Sequence, residues 1–228
     1  DGLHERVERI VPIDLDTFDE RYGDYLSVEQ LAREFFVSTG TVTNWVKKGR
    51  IAPSTTFTFG NKTISLFSPE DAERFRVELG ISEHTDETIR DDFFAFLNER
   101  DYSLSYKMPF LLGFLEHMDP STGGAPIDKV LDYYVGFYAD RISRGLPVDR
   151  RTCPYNEKTL KDRAFVKRSM LVNPFEKFER KRFMYYSKDL GIISINHALQ
   201  ARLTSADLEA IRSQMIDDLR DYYSKLEG

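Results

Sequence analysis

Seven side chains between residues 41 and 62 have the types that read and hold a nucleic acid: Thr41, Thr43, Asn44, Lys47, Lys48, Arg50 and Lys62. Threonine hydroxyls and the asparagine amide both donate and accept hydrogen bonds, and an asparagine amide can pair with adenine through two bonds at once. The three lysines and the arginine are the only charged residues from Phe35 to Pro69. A second group, Lys167, Arg168, Lys177, Arg180, Lys181 and Arg182, falls in the stretch from Arg141 to Arg182, which holds thirteen basic and five acidic residues, a local +8 in a chain of net charge −6. Patch charge governs phosphate contact more directly than the total does. For the first group, helical register favours nucleic acid over a merely solvated face. For the second, the two readings stand level.

Other chemistries find little support. His4, His84, His117 and His197 are scattered with no i, i+4 pair, and the single cysteine has no partner, so no metal site is expected. Cys153 lies in a basic loop where a nearby charge could lower its pKa, although a lone cysteine is more often incidental. Gly123-Gly124 has no following GK[ST], and no GxSxG is present. The adjacent pairs Asp91-Asp92 and Asp217-Asp218 read as solvated faces. Glu176, Lys177 and Glu179 could be pressed into a nuclease metal site, but nothing in the pattern supports it. The expectation is a protein without catalytic residues, metal or cofactor.

The elements that must position the first group can be read from local chemistry. Ser27 with Gln30 three residues on forms a capping box. Val28, Leu31, Ala32 and Phe35 then share one helical face. Val37-Ser38 ends that helix, and Ser38 can accept from the N–H groups of Gly40 and Thr41 to start the next. In the second helix Val42, Trp45 and Val46 face inward, which leaves Thr41, Thr43, Asn44, Lys47 and Lys48 outward. Gly49 suits a left-handed helix end. TTFTFG and TISLF alternate across Gly60-Asn61-Lys62 as a hairpin. Ser68-Pro69-Glu70 opens a third helix.

On the residues Leu26-Ser27-Val28, Leu31-Ala32, Val37-Ser38, Thr41-Val42, Trp45-Val46, Gly49-Arg50-Ile51-Pro53 and the hairpin to Phe67-Ser68, this segment resembles the MerR/excisionase-like winged helix-turn-helix family. The resemblance covers about a quarter of the chain. It implies a second helix in the major groove and a wing on the backbone or minor groove. Carried over, Thr41, Thr43, Asn44 and Lys47 would face bases, and Lys48, Arg50 and Lys62 would face phosphates. Phe35-Phe36 stands where the family more often has a small or polar turn residue.

The fold class expected is mainly α with short β-hairpins. Residues 1–24 form an acidic extension, in which Leu3, Val7, Ile10 and Val11 could make an amphipathic helix while Ile13, Leu15 and Phe18 pack on the next domain. Residues 25–81 form the winged helix-turn-helix. Residues 86–228 form a helical domain. Within it, helices at 106–118, 127–143 and about 166–181, an extended piece at Gly124 to Pro126 and a hairpin at 183–196 repeat the winged-helix order, with an insertion at 145–165. Asn173-Pro174 marks a boundary inside the third of these helices. A docking module of the same element order remains the alternative. Strings such as Tyr102-Ser103-Leu104-Ser105-Tyr106-Lys107 and Asn173-Pro174-Phe175-Glu176 loosely resemble a module associated with bacterial restriction and phage-defence helicases and nucleases. Thr204 with Asp207 opens the last helix, whose stripe Leu208, Ile211, Met215, Leu219, Tyr222 and Leu226 reads as core or as a homodimer seam.

The 228 residues suffice for two domains, and 41% hydrophobic content supplies their cores. No apolar run approaches the ~20 residues that span a bilayer. With one cysteine, a reducing, cytoplasmic setting is expected. The chain begins at Asp1 without methionine, as a processed protein or a piece of a longer one would. The leading expectation is a sequence-specific double-stranded DNA-binding protein, a bacterial transcription regulator. The alternative is the recognition part of a restriction or phage-defence nuclease assembly whose catalytic domain lies elsewhere. A ligand pocket lined by Tyr133, Tyr134, Phe137 and Tyr138 is a third reading, weaker than a plain core.

Overall fold

The computed structural model describes residues 15–59, 61–81 and 85–227. They are mainly helical, with two small antiparallel sheets of three strands each. The chain divides at residue 82 into two compact units. No helix among the described residues is long and apolar enough to cross a membrane.

The first unit runs α1 (Leu15–Tyr22), β1 (Leu26–Ser27), α2 (Val28–Glu34), α3 (Thr39–Lys47), β2 (Thr55–Phe59), β3 (Lys62–Phe67) and α4 (Pro69–Glu78). Its sheet has the order β1-β3-β2. Ser27 ends β1 and caps α2: its Oγ accepts from Gln30 N at 3.2 Å, and Gln30 Oε1 accepts from Ser27 N at 2.8 Å. Leu31, Ala32, Phe35, Val42, Ile51, Phe67, Ala72 and Phe75 make the core. Phe59 opposes Lys62 across the hairpin end; Gly60 of the expected turn lies outside the described residues.

The stretch Leu3 to Ile13, read as helix and packing residues, also lies outside them. A helix does form at Leu15–Tyr22, where no helical pattern was evident. Its Phe18 and Tyr22 rings sit 5.3 and 5.2 Å from the Phe57 ring of the hairpin. The extension expected over residues 1–24, with Phe18 packed on the next domain, thus joins the first unit through α1.

The second unit runs α5 (Ile89–Asn98), α6 (Lys107–His117), β4 (Gly124–Pro126), α7 (Ile127–Ser143), α8 (Glu157–Lys161), α9 (Arg163–Met170), a π-helical turn Leu171–Phe175, α10 (Glu176–Arg180), β5 (Met184–Ser187), β6 (Ile192–Ile195), α11 (His197–Gln200) and α12 (Ser205–Glu227). Its sheet order is β4-β6-β5. The helix expected over 166–181 is interrupted at Asn173, whose extended φ of −160° precedes Pro174. The loop expected over 145–158 runs into α8, capped by Asn156.

Phe178 centres one half of this core, 5.2 Å from Phe96 and 5.5 Å from Phe110. Tyr106, Tyr134, Tyr138 and Tyr155 stack together in the other half, so Tyr134 and Tyr138 of α7 are used as core. The apolar stripe of α12 is likewise used inside the unit: Ile211, Met215, Leu219 and Tyr222 are buried there. That stripe is not a free dimer seam.

Polar ties fix the periphery. Asp149 accepts from Ser105 N at 2.9 Å, Ser105 Oγ at 2.6 Å and Tyr222 Oη at 2.5 Å, pinning the 145–156 loop to α6 and α12. Asp218, read as solvated, is buried and accepts from Arg100 at 2.9 Å and Tyr102 at 2.6 Å. At the start of α12, Asp207 accepts from both Arg90 Nη2 at 2.6 Å and Nε at 3.2 Å, and it completes the cap with Thr204. These bonds, that of Arg90 first, lower the Asp207 pKa from 3.8 to about 2. A depressed carboxyl stabilises the fold above its unfolded value and loses that contribution as pH falls through the folded value. Urea unfolding across pH 4 to 2 should therefore show a fall in stability that is smaller in Asp207→Asn; equal falls would remove Asp207 from the acid response.

Candidate nucleic-acid interface

The turn between α2 and α3 is built from an unusual residue. Val37 N donates to Ala32 O at 3.0 Å and Phe36 N to Arg33 O at 3.2 Å, which closes the end of α2. That geometry sets Phe36 at φ +54°, a conformation that costs a side-chain-bearing residue about 1–2 kcal/mol. Burial of the ring, 6% exposed, offsets the cost. A small or polar residue would relieve the strain but forfeit the burial, which explains the aromatic at this position.

Ser38 then caps α3. Its Oγ accepts from Thr41 N at 3.1 Å and shares a 2.8 Å bond with Thr41 Oγ1. The cap bonds Thr41 alone and not Gly40 as well. Val42 is fully buried, and Trp45 and Val46 pack on the first-unit core. At the far end Gly49 takes φ +66°, and Arg50 N reaches back to Trp45 O at 2.9 Å. Only glycine adopts that φ without penalty, so α3 stops and the chain turns toward the hairpin.

These contacts decide which side chains α3 offers. Thr43, Asn44, Lys47 and Lys48 are exposed, as are Arg50 and Lys62. Among the described residues the side chains of Asn44, Lys47, Lys48, Arg50 and Lys62 make no hydrogen bond or ion pair. Two expected base-facing residues are modified. Thr41 is half-buried with its hydroxyl in the cap, and the Thr43 hydroxyl donates to Thr39 O at 2.9 Å, leaving its oxygen as an acceptor. Gly40 lies on the same exposed face and was missed. A Cβ there would meet only Ser38 Oγ at 3.8 Å, so the fold itself has no need for glycine. Thr56, Thr58 and Thr63 add exposed hydroxyl-bearing positions along the hairpin. The hairpin is held at its base by Ser54, whose Oγ accepts from Ser68 N at 2.7 Å and donates to Asp71 of α4.

The second basic group is not one face. The break at Asn173 puts Lys167 and Arg168 on α9, and Lys177 and Arg180 on α10. Lys167 pairs with Asp128 at 3.6 Å, Lys177 with Asp101 at 3.5 Å and Arg180 with Glu176 at 3.5 Å. Lys181 lies over the Phe96 ring, and α5 packs on α10 through Phe93 and Phe96. Arg168 and Arg182 remain exposed. Two of the cations behind the local +8 are thus met by acids from outside the stretch, Asp128 and Asp101.

The remaining chemical candidates resolve in the same way. Burial pushes the Cys153 thiol up from its ordinary pKa, opposite to activation. Glu176 is paired with Arg180 on its own helix. Among the described residues no group of three His, Cys, Asp or Glu side chains could hold a metal ion. Compared with family models, curated proteins and solved structures, the chain matches none of them.

The cap is the local device that aims α3. Ser38→Ala should cost the first unit about 1 kcal/mol, read as a lower unfolding midpoint in urea, while Thr43→Ala should change stability little. Equal midpoints for Ser38→Ala and the parent chain would show the cap to be dispensable.

Proposed function

We propose that the first unit is a winged helix-turn-helix that reads double-stranded DNA, with α3 in the major groove and the β2–β3 hairpin as the wing on the phosphate backbone. One observation carries this reading. The outward face of α3 and the hairpin end present Asn44, Lys47, Lys48, Arg50 and Lys62 exposed and unpaired, while the opposite face of α3 is packed into the core. Cations left without carboxylate partners suit a polyanion, since they bind phosphate by releasing its counterions. Asn44 is the residue assigned to base reading, through its amide on adenine. Lys48, Arg50 and Lys62 hold phosphates. Gly40 supports the same reading, because a helix-weakening residue on the outward face leaves room for DNA to approach the backbone.

The second unit repeats the order helix, short strand, helix, helix, hairpin and the same sheet order, and we read it as a second winged helix with α8 inserted. Its α10 is covered by α5, so DNA reading is assigned to the first unit and a scaffolding role to the second. The protein acts as a sequence-specific regulator of transcription, or as the recognition part of a larger assembly.

Selection from a random duplex library at two salt concentrations should enrich a motif; absence of binding at low salt would overturn the reading. Asn44→Ala should relax preference at one position and cost roughly 1–3 kcal/mol on the selected site. Equal losses on every sequence would deny it a base contact. Lys62→Ala should weaken all sequences alike and lower the salt slope by about one. Gly40→Ala should raise the stability of the first unit by about 0.5 kcal/mol while weakening DNA binding several-fold. A variant both more stable and equally tight would show that the DNA does not approach α3 there.

A further inference from the structure

Lys107 opens α6 and is 3% exposed. Its ammonium makes no hydrogen bond or ion pair among the described residues. It lies instead 4.2 Å from the Phe96 ring centre and 5.5 Å from that of Tyr102. Lys181, at the end of α10, shares the Phe96 ring, with Nζ 5.7 Å from its centre. Lys177, one turn earlier on α10, has its Nζ 3.5 Å from Asp101. The charges that act on Lys107 are those of Lys177, Lys181, Glu99 and Asp101. Two ammonium groups therefore share the Phe96 ring, and a third, paired with Asp101, acts on Lys107 through its charge.

Fold stability does not explain this arrangement. Removing an ammonium from water is costly, and aromatic faces return only part of the loss. Two further lysines add repulsion. Burial, then the charge of Lys177, brings Lys107 down to about 8 from 10.5. A methionine would fill the same slot with its straight chain and carry neither penalty. A poorly solvated cation with two further cations near it is an arrangement that a bound anion would complete.

We propose that Lys107, Lys177 and Lys181 form a binding site for a phosphate-type oxyanion in the second unit. Lys107 supplies the desolvated charge at the base of the site, where an ion contact is strongest. Lys177 and Lys181 supply the rim and donate from α10, and Phe96 and Tyr102 wall the site against competing water. The phosphate can belong to a small free molecule or to a nucleic-acid strand.

The test uses the whole chain and thermal unfolding at matched ionic strength. Inorganic phosphate should raise the midpoint above that in chloride by several degrees. Lys107→Met should unfold at a higher temperature than the parent in chloride and should lose the phosphate increment. Lys181→Gln, at the half-buried rim, relieves part of the repulsion and so should not lower the chloride midpoint, and it should reduce the increment by at least half. An increment with phosphate and with adenosine monophosphate assigns the site to a free phosphate. An increment seen only with a single-stranded oligonucleotide, in a chain carrying Asn44→Ala and Lys62→Ala, assigns it to a strand. The proposal is overturned if none of the three ligands shifts the midpoint beyond chloride. It is also overturned if Lys107→Met keeps the increment, or if that variant unfolds earlier than the parent in chloride. The last result would make Lys107 a structural cation held by its rings.

Discussion

In each unit a short strand leading directly into a helix pairs with the last strand of the hairpin, and the rest of the unit is arranged around that pairing. In the first unit Leu26 and Ser27 oppose Phe67 and Leu66. The same Ser27 caps α2, so one residue ties the start of the helix pair to the base of the hairpin. In the second unit Gly124 to Pro126 opposes Ser194 to Ile192. There the approach is so close that a Cβ on Gly123 would come within 2.8 Å of Ile195 and 2.7 Å of Gln200, at a φ of +67°. Without these ladders each hairpin would be joined to its helices only through chain connections, and an isolated two-stranded hairpin is marginal in water.

The two units share this frame and put it to opposite electrostatic use. In the first, the helix before the hairpin turns its cations outward, and no acid lies near them in the chain from Phe35 to Pro69. In the second, the corresponding segment is broken at Asn173, its C-terminal half is covered by α5, and its cations are paired with Asp128, Asp101 and Glu176. The same element order therefore leaves cations exposed in one unit and paired in the other. What decides is whether the outward face of the helix before the hairpin is covered and paired.

Much of the first unit was legible because its determinants are local. Ser27, Ser38 and Ser68 each cap the helix that follows, and Gly49 ends one. Alternation in TTFTF and KTISLF marks the hairpin strands. The second unit was legible in element order for the same reason, through Gly124-Ala125-Pro126 and the strands around Gly191. What escaped depends on partners far along the chain. The helical form of α1 is one such case, although the packing of its Phe18 on the next domain was expected and is seen against Phe57. Phe36 tolerates a left-handed φ only because its ring is buried. Asp218 seemed a surface acid beside Asp217 until Arg100 and Tyr102 met it from the other end of the unit. The basic run from Arg141 to Arg182 looked like a patch because its counter-charges at Asp101 and Asp128 precede it in sequence.

Lys47 and Lys107 show how one residue type carries two physical states. Lys47 sits in water, so its charge costs the fold nothing and is available to any polyanion with a salt-dependent affinity. Lys107 keeps little water and has two like charges near it, so a further opposite charge there would find it poorly solvated. A cation of the first kind identifies a class of partner by its exposure together with its neighbours. One of the second kind identifies a place, because the stability lost in keeping it there is a cost that only a ligand or a coupled conformational state can return. For this protein the proposed reading surface of the first unit rests on exposed groups left unpaired, and the proposed anion site of the second on a poorly solvated group held only by aromatic rings. Both rest on the rule that an unmatched charge in a folded protein has either solvent or a partner as its reason.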